Sequence, residues 1–361
     1  SNQPLARKYR PRTFQDLIGQ RSTVLALLGT ITQKRLPTGV IFSGTRGVGK
    51  TSLARIYAKA LCCEKGPTIE PCGDCLSCDA VATGSHEDVV EIDGASNNGV
   101  DEVRALKETT SYIPQRSKYR IYIIDEVHML SLSAFNALLK ILEEPPSHVI
   151  FLFATTELHK IPQTVMSRCQ IFHLQKISAS LIAKHMEVLL KQENISWEEG
   201  VLRLIAKEGQ GSLRDALTFL DQVIVTGGQE IKRETLTAML GELSQKYYLN
   251  FIEGLINKDA SNCLKFIESF DQKGTSYIPF VERLASLVRH GFVMGAMGQK
   301  HRGEDLWELE EEDLLRLEAL AKNSATLDLN RIFRLLVSVL EDLNDSFMDR
   351  YTFENICLEW C

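Results

Sequence analysis

The chain has 361 residues, 44% hydrophobic and 24% charged, which fits two or three globular domains and excludes disorder as the default. Its net charge of −6 counts against a general polyanion binder, and no apolar run approaches the roughly 18 residues of a membrane span. The first residues, SNQPLARKYRPRTF, lack an apolar signal core and the opening Ser1-Asn2 reads as a tag scar, so the expectation is a soluble, cytoplasmic chain with no membrane partner.

Residues 1–37 form a basic leading segment with helical character around 20–34. The β-rich run TGVIFS (38–43) follows, then glycine-rich GTRGVGKT and the helical pattern SLARIYAKALC (52–62). A Cys/Gly/Pro insertion occupies 63–85. Three short apolar runs come next, VVEI (89–92), RIYII (120–124) and VIFLFA (149–154), and QIFHL (170–174) closes the series. Helical patterns separate them, notably SAFNALLKILEE (133–144), which stops at Pro145-Pro146. Strands alternating with helices predict a parallel sheet covered on both faces. After about residue 176 the strands are expected to stop. Residues 178–240 read as three or four helices. Five amphipathic stripes between 242 and 361 (YLNFIEGLI, CLKFIESF, FVERLASLVRHGF, LLRLEALA, LNRIFRLLVSVLEDL) read as a longer helical region. The layout is one α/β domain followed by two all-helical ones.

Gly44-Thr45-Arg46-Gly47-Val48-Gly49-Lys50-Thr51 fits the P-loop pattern GxxxxGK[ST] without a mismatch. Its glycines let backbone N–H groups turn inward around phosphates. Lys50 would reach the β- and γ-phosphates, and the Thr51 hydroxyl would hold Mg²⁺. The surrounding charge suits this: residues 1–60 carry eleven Lys/Arg against one acid, Asp16, whereas 300–361 carry seven against fifteen. RIYIIDEVH (120–128) delivers Asp125 for the Mg²⁺ shell and Glu126 to polarise an attacking water. The bland alternative is two acids capping the next helix. A hydroxyl at Thr155 or Thr156, where the third run closes, could orient that water. Arg168, in Ser167-Arg168-Cys169, and Arg214, in Gly211-Ser212-Leu213-Arg214-Asp215, would out of context be ordinary solvated arginines. Beside a P-loop they become candidates for the cation that a γ-phosphate transition state needs.

Nine cysteines are present, four of them at Cys63, Cys72, Cys75 and Cys78. The spacing C-x8-C-x2-C-x2-C can close a tetrahedral, structural Zn²⁺ site, with an iron–sulfur cluster as the rival. Cys62 is adjacent and reads as a spare helix residue.

Together these stretches resemble the gamma/tau family of bacterial DNA polymerase III subunits, the ATPases of the sliding-clamp loader. LARKYRPRTFQDLIGQ (5–20), FSGTRGVGKTSLAR (42–55), the cysteine block 63–78, IDEVHMLSLSAFNALLKILEEPP (124–146), FATTELHKIPQTVMSRCQIFHL (153–174) and GSLRDAL (211–217) carry the likeness. Residues 241–361 share only helical character and length. The resemblance implies an α/β AAA+ P-loop NTPase core with a parallel sheet over 1–176 and a zinc-binding insertion at 63–78. A helical lid over 177–241 and a helical collar over 242–361 would follow. It implies a five-subunit ring with other clamp loader subunits that uses ATP to open the sliding clamp and place it on primer–template DNA for the polymerase holoenzyme, in the cytoplasm at replication forks. Residue by residue, Lys50 and Thr51, then Asp125 and Glu126, match the P-loop and acidic pairs. Thr156 rather than Thr155 matches sensor 1, Arg168 the finger that reaches a neighbour's ATP, and Arg214 sensor 2. Ala6, Tyr9, Arg10, Pro11, Leu17 and Ile18 match the adenine-side wall. Ser96, Asn97, Asn98 and Lys140 fall at the DNA-facing places; family members often carry basic residues where this chain has Asn97 and Gly99. Tau-type chains continue into a proline-rich linker, so a chain ending at Cys361 is expected to be gamma-length or a shortened tau. The competing readings are another AAA+ DNA-processing ATPase and a non-catalytic ring scaffold.

Overall fold

The computed structural model describes residues 3–240, 245–271, 276–297, 309, 311–323, 326–345 and 349–361. The expected boundary at 241/242 and the opening Ser1-Asn2 lie outside the described residues. Two compact units emerge, Ser1–Ile195 with Ile205–Val225, and Ser196–Leu204 with Thr226–Cys361.

In the first unit α1 (Leu5–Lys8) and α2 (Arg21–Thr32) precede β1 (Gly39–Ser43) and α3 (Lys50–Cys62). Then come α4 (Leu76–Thr83), β2 (Val89–Asp93), α5 (Val100–Thr110), β3 (Arg120–Asp125), α6 (Leu132–Glu143), β4 (Val149–Thr155), α7 (Gln163–Met166), β5 (Gln170–His173) and α8 (Ala179–Glu193). The five strands pair in parallel in the order β2-β3-β4-β1-β5. The near-continuous apolar runs of the three inner strands β1, β3 and β4 follow from burial of both faces, while the edge strands β2 and β5 are only partly buried. Side chains alternate across the pleat. Val40, Phe42, Ile121, Ile123 and Leu152 pack with Leu27 of α2 and Leu53 and Tyr57 of α3. Ile41, Tyr122, Ile124, Phe151 and Phe153 pack with Leu106 of α5 and Phe135 and Leu138 of α6. Ser131 starts α6 by accepting the Ala134 N–H at 3.2 Å, and the helix ends before Pro145-Pro146, as the sequence predicts. Register sets Ser43 beside Thr155 and Asp93 beside Asp125. The carboxyl ends of β1, β3 and β4 therefore open at one edge of the sheet, the edge where parallel α/β sheets take ligands.

Later elements are β6 (Ser196–Trp197), α9 (Val201–Glu208), α10 (Leu213–Gly227), β7 (Glu230–Ile231) and α11 (Arg233–Leu240). They are followed by α12 (Gln245–Ile256), α13 (Ala260–Asp271), α14 (Tyr277–Met297), α15 (Glu311–Asn323), α16 (Thr326–Asp345) and α17 (Asp349–Trp360). The expectation that strands stop after 176 is corrected by β6 and β7, which pair in parallel. Two residues are too few to carry an alternating pattern. α17 falls within the stretch 242–361 expected to be helical, though outside its five amphipathic stripes, and Phe353 and Cys357 are among its buried positions. The core of the second unit is aromatic: Phe251, Phe270, Phe280 and Phe353 are buried together, with ring centroids 4.5 to 5.8 Å apart in the pairs that touch. Among the described residues no helix is long and apolar enough to cross a membrane.

Candidate nucleotide and metal sites

The loop 44–49 joins β1 to α3. Gly49 caps α3 at φ +106° and Gly47 has φ +75°, left-handed conformations that glycine adopts freely. Gly47 has a second reason to lack a side chain: a Cβ there would stand 1.9 Å from Ser212 Oγ. The first turn of α10 closes on this tip, with the Leu213 and Arg214 N–H groups donating to Gly47 O at 3.1 and 3.4 Å. Ser212 Oγ accepts the Asp215 N–H at 3.1 Å. The backbone amides of residues 45–49 have no acceptor among the described residues. Such a row of free donors, at the N-terminus of a helix, suits a phosphate chain.

Lys50 is buried and its Nζ donates to Thr45 O at 2.7 Å. Burial lowers its pKa, against the pull of Glu126 and Asp125. Thr51 Oγ1 lies 2.8 Å from Asp125 Oδ2. The hydroxyl donates to the carboxylate, and the two oxygens so held are the hard donors that Mg²⁺ takes. Glu126 sits in the left-handed region at φ 49°, a conformation that costs a non-glycine residue roughly 1–2 kcal/mol. Its Oε2 accepts from Thr156 Oγ1 at 3.3 Å. Thr155 is fully buried and its hydroxyl faces His128 Nδ1 instead, at 2.9 Å.

Of the expected base-side wall, Leu17 comes nearest the phosphate loop: its Cδ2 lies 3.3 Å from where a Gly49 Cβ would be. Arg10 Nε is 3.4 Å from Ser52 Oγ on α3 and lies within electrostatic range of Arg55, Arg214 and Asp125. Tyr9 OH donates to Glu193 of α8. Ala6, on α1, and Pro11 and Ile18 are half-buried. Arg214 is brought to the loop tip. Arg168 is not: it is held on the surface by Glu143 Oε1 at 3.0 Å and Thr164 O at 2.8 Å. Ser96 Oγ donates to Asp93 Oδ2 at 2.8 Å and Asn97 Nδ2 to Asp93 O at 3.1 Å. Asn98 O accepts the Ser131 N–H at 2.9 Å, which sets the α5 and α6 N-termini side by side. Lys140 is exposed on α6. Sequence reasoning missed two site residues, Ser212 and His128. Both sit inside quoted motifs, but Gly47, on which Ser212 closes, and Thr155, which His128 faces, are far along the chain.

The four expected cysteines converge, with every Sγ within 4.8 Å of the others. Cys63–Cys72 and Cys72–Cys78 are 3.6 and 3.9 Å apart, and all are free thiols. A tetrahedron of Zn–S bonds of about 2.3 Å has edges of about 3.8 Å, so the set is compatible with zinc. The Cys72 and Cys78 amides donate to Cys63 Sγ and Cys75 Sγ at 3.5 and 3.3 Å. Burial raises the Cys75 pKa, but amide donors from Glu64 and Cys78 outweigh it and bring the thiol down to about 7. Cys62 stands apart: burial pushes it up to about 12, and an inert core thiol is the result.

The comparisons with known proteins agree along the chain. The family described as "DNA polymerase III, delta subunit" matches residues 19–178, "DNA polymerase III clamp loader subunit, ATPase lid domain" matches 181–229, and "DNA polymerase III subunits gamma and tau domain III" matches 231–358. The chain is similar to DNA polymerase III subunit tau of Bacillus subtilis (strain 168), 44% identical over 80% of this chain and 51% of that protein. It is 39% identical to subunit tau of Escherichia coli (strain K12) over 93% of this chain and 52% of that one. It is 36% identical to subunit gamma of Buchnera aphidicola subsp. Acyrthosiphon pisum over 94% and 93% of the two chains. The chain thus spans about half the length of the two tau proteins. Among solved structures, the Thermotoga maritima RuvB Holliday junction branch migration motor is similar with a TM-score of 0.48 and 17% identity over 69% of this chain and 79% of that one.

Proposed function

The chain belongs to the DNA polymerase III gamma/tau family, and on that premise we propose that it is an ATP-driven motor subunit of a sliding-clamp loader. The observation that carries the reading is the meeting, at the carboxyl edge of the sheet, of Lys50, the Thr51–Asp125 pair at 2.8 Å and Glu126 with Thr156 at 3.3 Å. Those are the parts that phosphoryl transfer needs.

Gly44, its own amide tied to Thr155 O, would open the loop, and ATP would lay its phosphates along the amides of Thr45, Arg46, Gly47, Val48 and Gly49, with Lys50 turning from Thr45 O to the β- and γ-phosphates. Thr51 and Asp125 would hold Mg²⁺, which when bound neutralises charge on the phosphate oxygens. Glu126 would polarise the attacking water and Thr156 would fix its angle. Arg214 would report the γ-phosphate from the lid. Arg168 would serve the ATP of a neighbouring subunit, which fits its place on the surface, away from its own loop. Ala6, Tyr9, Arg10, Pro11, Leu17 and Ile18 would flank the base. Cys63, Cys72, Cys75 and Cys78 would hold a structural Zn²⁺ that orders the insertion at 63–78.

In this reading residues 1–176 are the AAA+ core, 177–241 the lid and 242–361 the collar of a five-subunit ring. The partners are the other loader subunits, the sliding clamp, the polymerase and primer–template DNA, met by Ser96, Asn97, Asn98 and Lys140 in the cytoplasm at replication forks. The test is ATP turnover of the chain reconstituted with candidate loader subunits, with and without clamp plus primed DNA, and with Lys50→Ala as control. Stimulation that requires both clamp and primed DNA is expected. Turnover indifferent to both would refute the clamp-loading role and leave a different AAA+ ATPase.

A further inference from the structure

His128 lies in the segment that carries Asp125 and Glu126, and the chemistry above leaves it without a task. Its imidazole is 4% exposed. Nδ1 is 2.9 Å from Thr155 Oγ1. Nε2 is 3.4 Å from Glu126 Oε2 and 3.3 Å from Glu157 Oε2. Thr155 Oγ1 already accepts the Glu157 N–H at 3.0 Å, and its own proton finds its acceptor, among the described residues, at Nδ1. An imidazole that accepts at Nδ1 donates at Nε2. That single N–H lies between two carboxylates at nearly equal distance, aligned as a hydrogen bond with neither, and can turn to only one at a time. Glu157 Oε2 has a second donor, Lys160 Nζ at 3.0 Å, whereas Glu126 Oε2 has Thr156 at 3.3 Å. The main chain of Thr155 meanwhile reaches the phosphate loop, with Gly44 N–H donating to Thr155 O at 3.2 Å.

We infer that His128 is a positioning residue for Glu126, giving its Nε2–H to Glu126 in one arrangement and to Glu157 in the other. The end of β4 links that choice to the phosphate loop. This rests on the ATPase reading above; His128 acts through Glu126, not on the nucleotide. Two links are hydrogen bonds, Gly44 amide to Thr155 carbonyl and Thr155 hydroxyl to Nδ1; the third, Nε2–H to the carboxylate that would polarise water, closes when the N–H turns to Glu126 across 3.4 Å. A shift of the loop on binding phosphates would therefore reach Glu126 through Thr155 and the His128 imidazole, both buried.

The experiment uses the chain assembled with its loader subunits and follows single-turnover ATP hydrolysis together with affinity for a fluorescent ATP analogue. A Gln amide extends to about the place of Nε2, and an Asn amide only to that of Nδ1. His128→Gln is expected to hydrolyse within about threefold of the parent, and His128→Asn and His128→Ala at least about tenfold more slowly, with analogue affinity within about twofold throughout. In a Glu126→Gln background, His128→Ala should change the residual rate less than about twofold, because residues that act as a unit are not additive. His128→Asn matching or exceeding His128→Gln would overturn the inference, as would a full repeat of the loss in the Glu126→Gln background; either result makes His128 a packing residue. The imidazole ¹⁵N spectrum needs no turnover. An Nε2–H tautomer whose signal moves on Glu126→Gln supports the hydrogen bond, and an Nδ1–H tautomer overturns it. A parent chain with no turnover, matching Lys50→Ala, would instead overturn the ATPase reading and the positioning role together, with the spectrum still deciding the bond.

Discussion

Gly47→Ala concentrates several physical effects in one methyl group. At φ +75° an alanine is in the left-handed region, which costs roughly 1–2 kcal/mol. Its Cβ would fall 1.9 Å from Ser212 Oγ, 3.1 Å from Ser212 Cβ and 3.2 Å from Arg214 Cβ, so the start of α10 must retreat. Retreat breaks the two N–H bonds from Leu213 and Arg214 to Gly47 O, worth about 0.5–1.5 kcal/mol each. Together the penalty is about 2–5 kcal/mol, within a typical folding stability of 5–15 kcal/mol, so the chain is expected to fold with a loosened loop tip. Affinity for a fluorescent ATP analogue should fall at least about tenfold, the equivalent of 1.4 kcal/mol. Adding Ser212→Gly removes both contacting atoms at 212 at a capping cost of only a few tenths of a kcal/mol, and should recover part of the loss, leaving mainly the backbone strain. Equilibrium titration of the parent, the single and the double variant decides the matter. A single variant that binds like the parent, or a double variant no better than the single, would refute the argument that Gly47 exists to seat α10.

On the proposed trans role, in which one subunit would complete its neighbour's site, Arg168→Ala should leave ATP binding intact and reduce turnover of the assembled loader by at least about tenfold; normal turnover would show that Glu143 and Thr164 O are its purpose. The chain should carry one zinc per molecule by elemental analysis, and chelation should lower its melting temperature, since a loop with little core of its own is ordered by metal; a metal-free chain with unchanged melting would refute the Cys₄ reading. Asp88 is fully buried. Burial raises its carboxyl pKa, but the N–H groups of Gln115, Arg116 and Ser117 outweigh this and hold it below the ordinary value of 3.8. A depressed pKa contributes stability above the unfolded value that is lost as pH falls through the folded one. Urea midpoints should therefore show Asp88→Asn weaker than the parent by about 1–3 kcal/mol near neutral pH, with the gap closing below about pH 4; a gap independent of pH would assign the loss to packing.

Much of the site was legible before any coordinates, for local reasons. The phosphate loop is one contiguous turn, so its glycines, Lys50 and Thr51 announce it by spacing. Asp125 and Glu126 stand at the end of an apolar run that can only be a strand. Cys72, Cys75 and Cys78 repeat at the interval of a metal knuckle, and the helical Cys62 was set aside for Cys63, which the converging thiols support. Elements were missed where the local pattern is short: β6 and β7 have two residues each.

What the sequence by itself determined is therefore whatever one stretch of chain can specify: the short apolar runs of the five strands, the glycine turn, the acidic pair and the cysteine spacing. Only the tertiary structure decided which distant groups meet. Ser212 forbids a side chain at Gly47, far from it along the chain, and His128, just past β3, faces Thr155 and Glu157 at the end of the neighbouring strand β4. Tyr9 and Lys8 find Glu193. Such pairings depend on strand order, register and helix placement, which are set by burial of the whole core, and no local spacing encodes them.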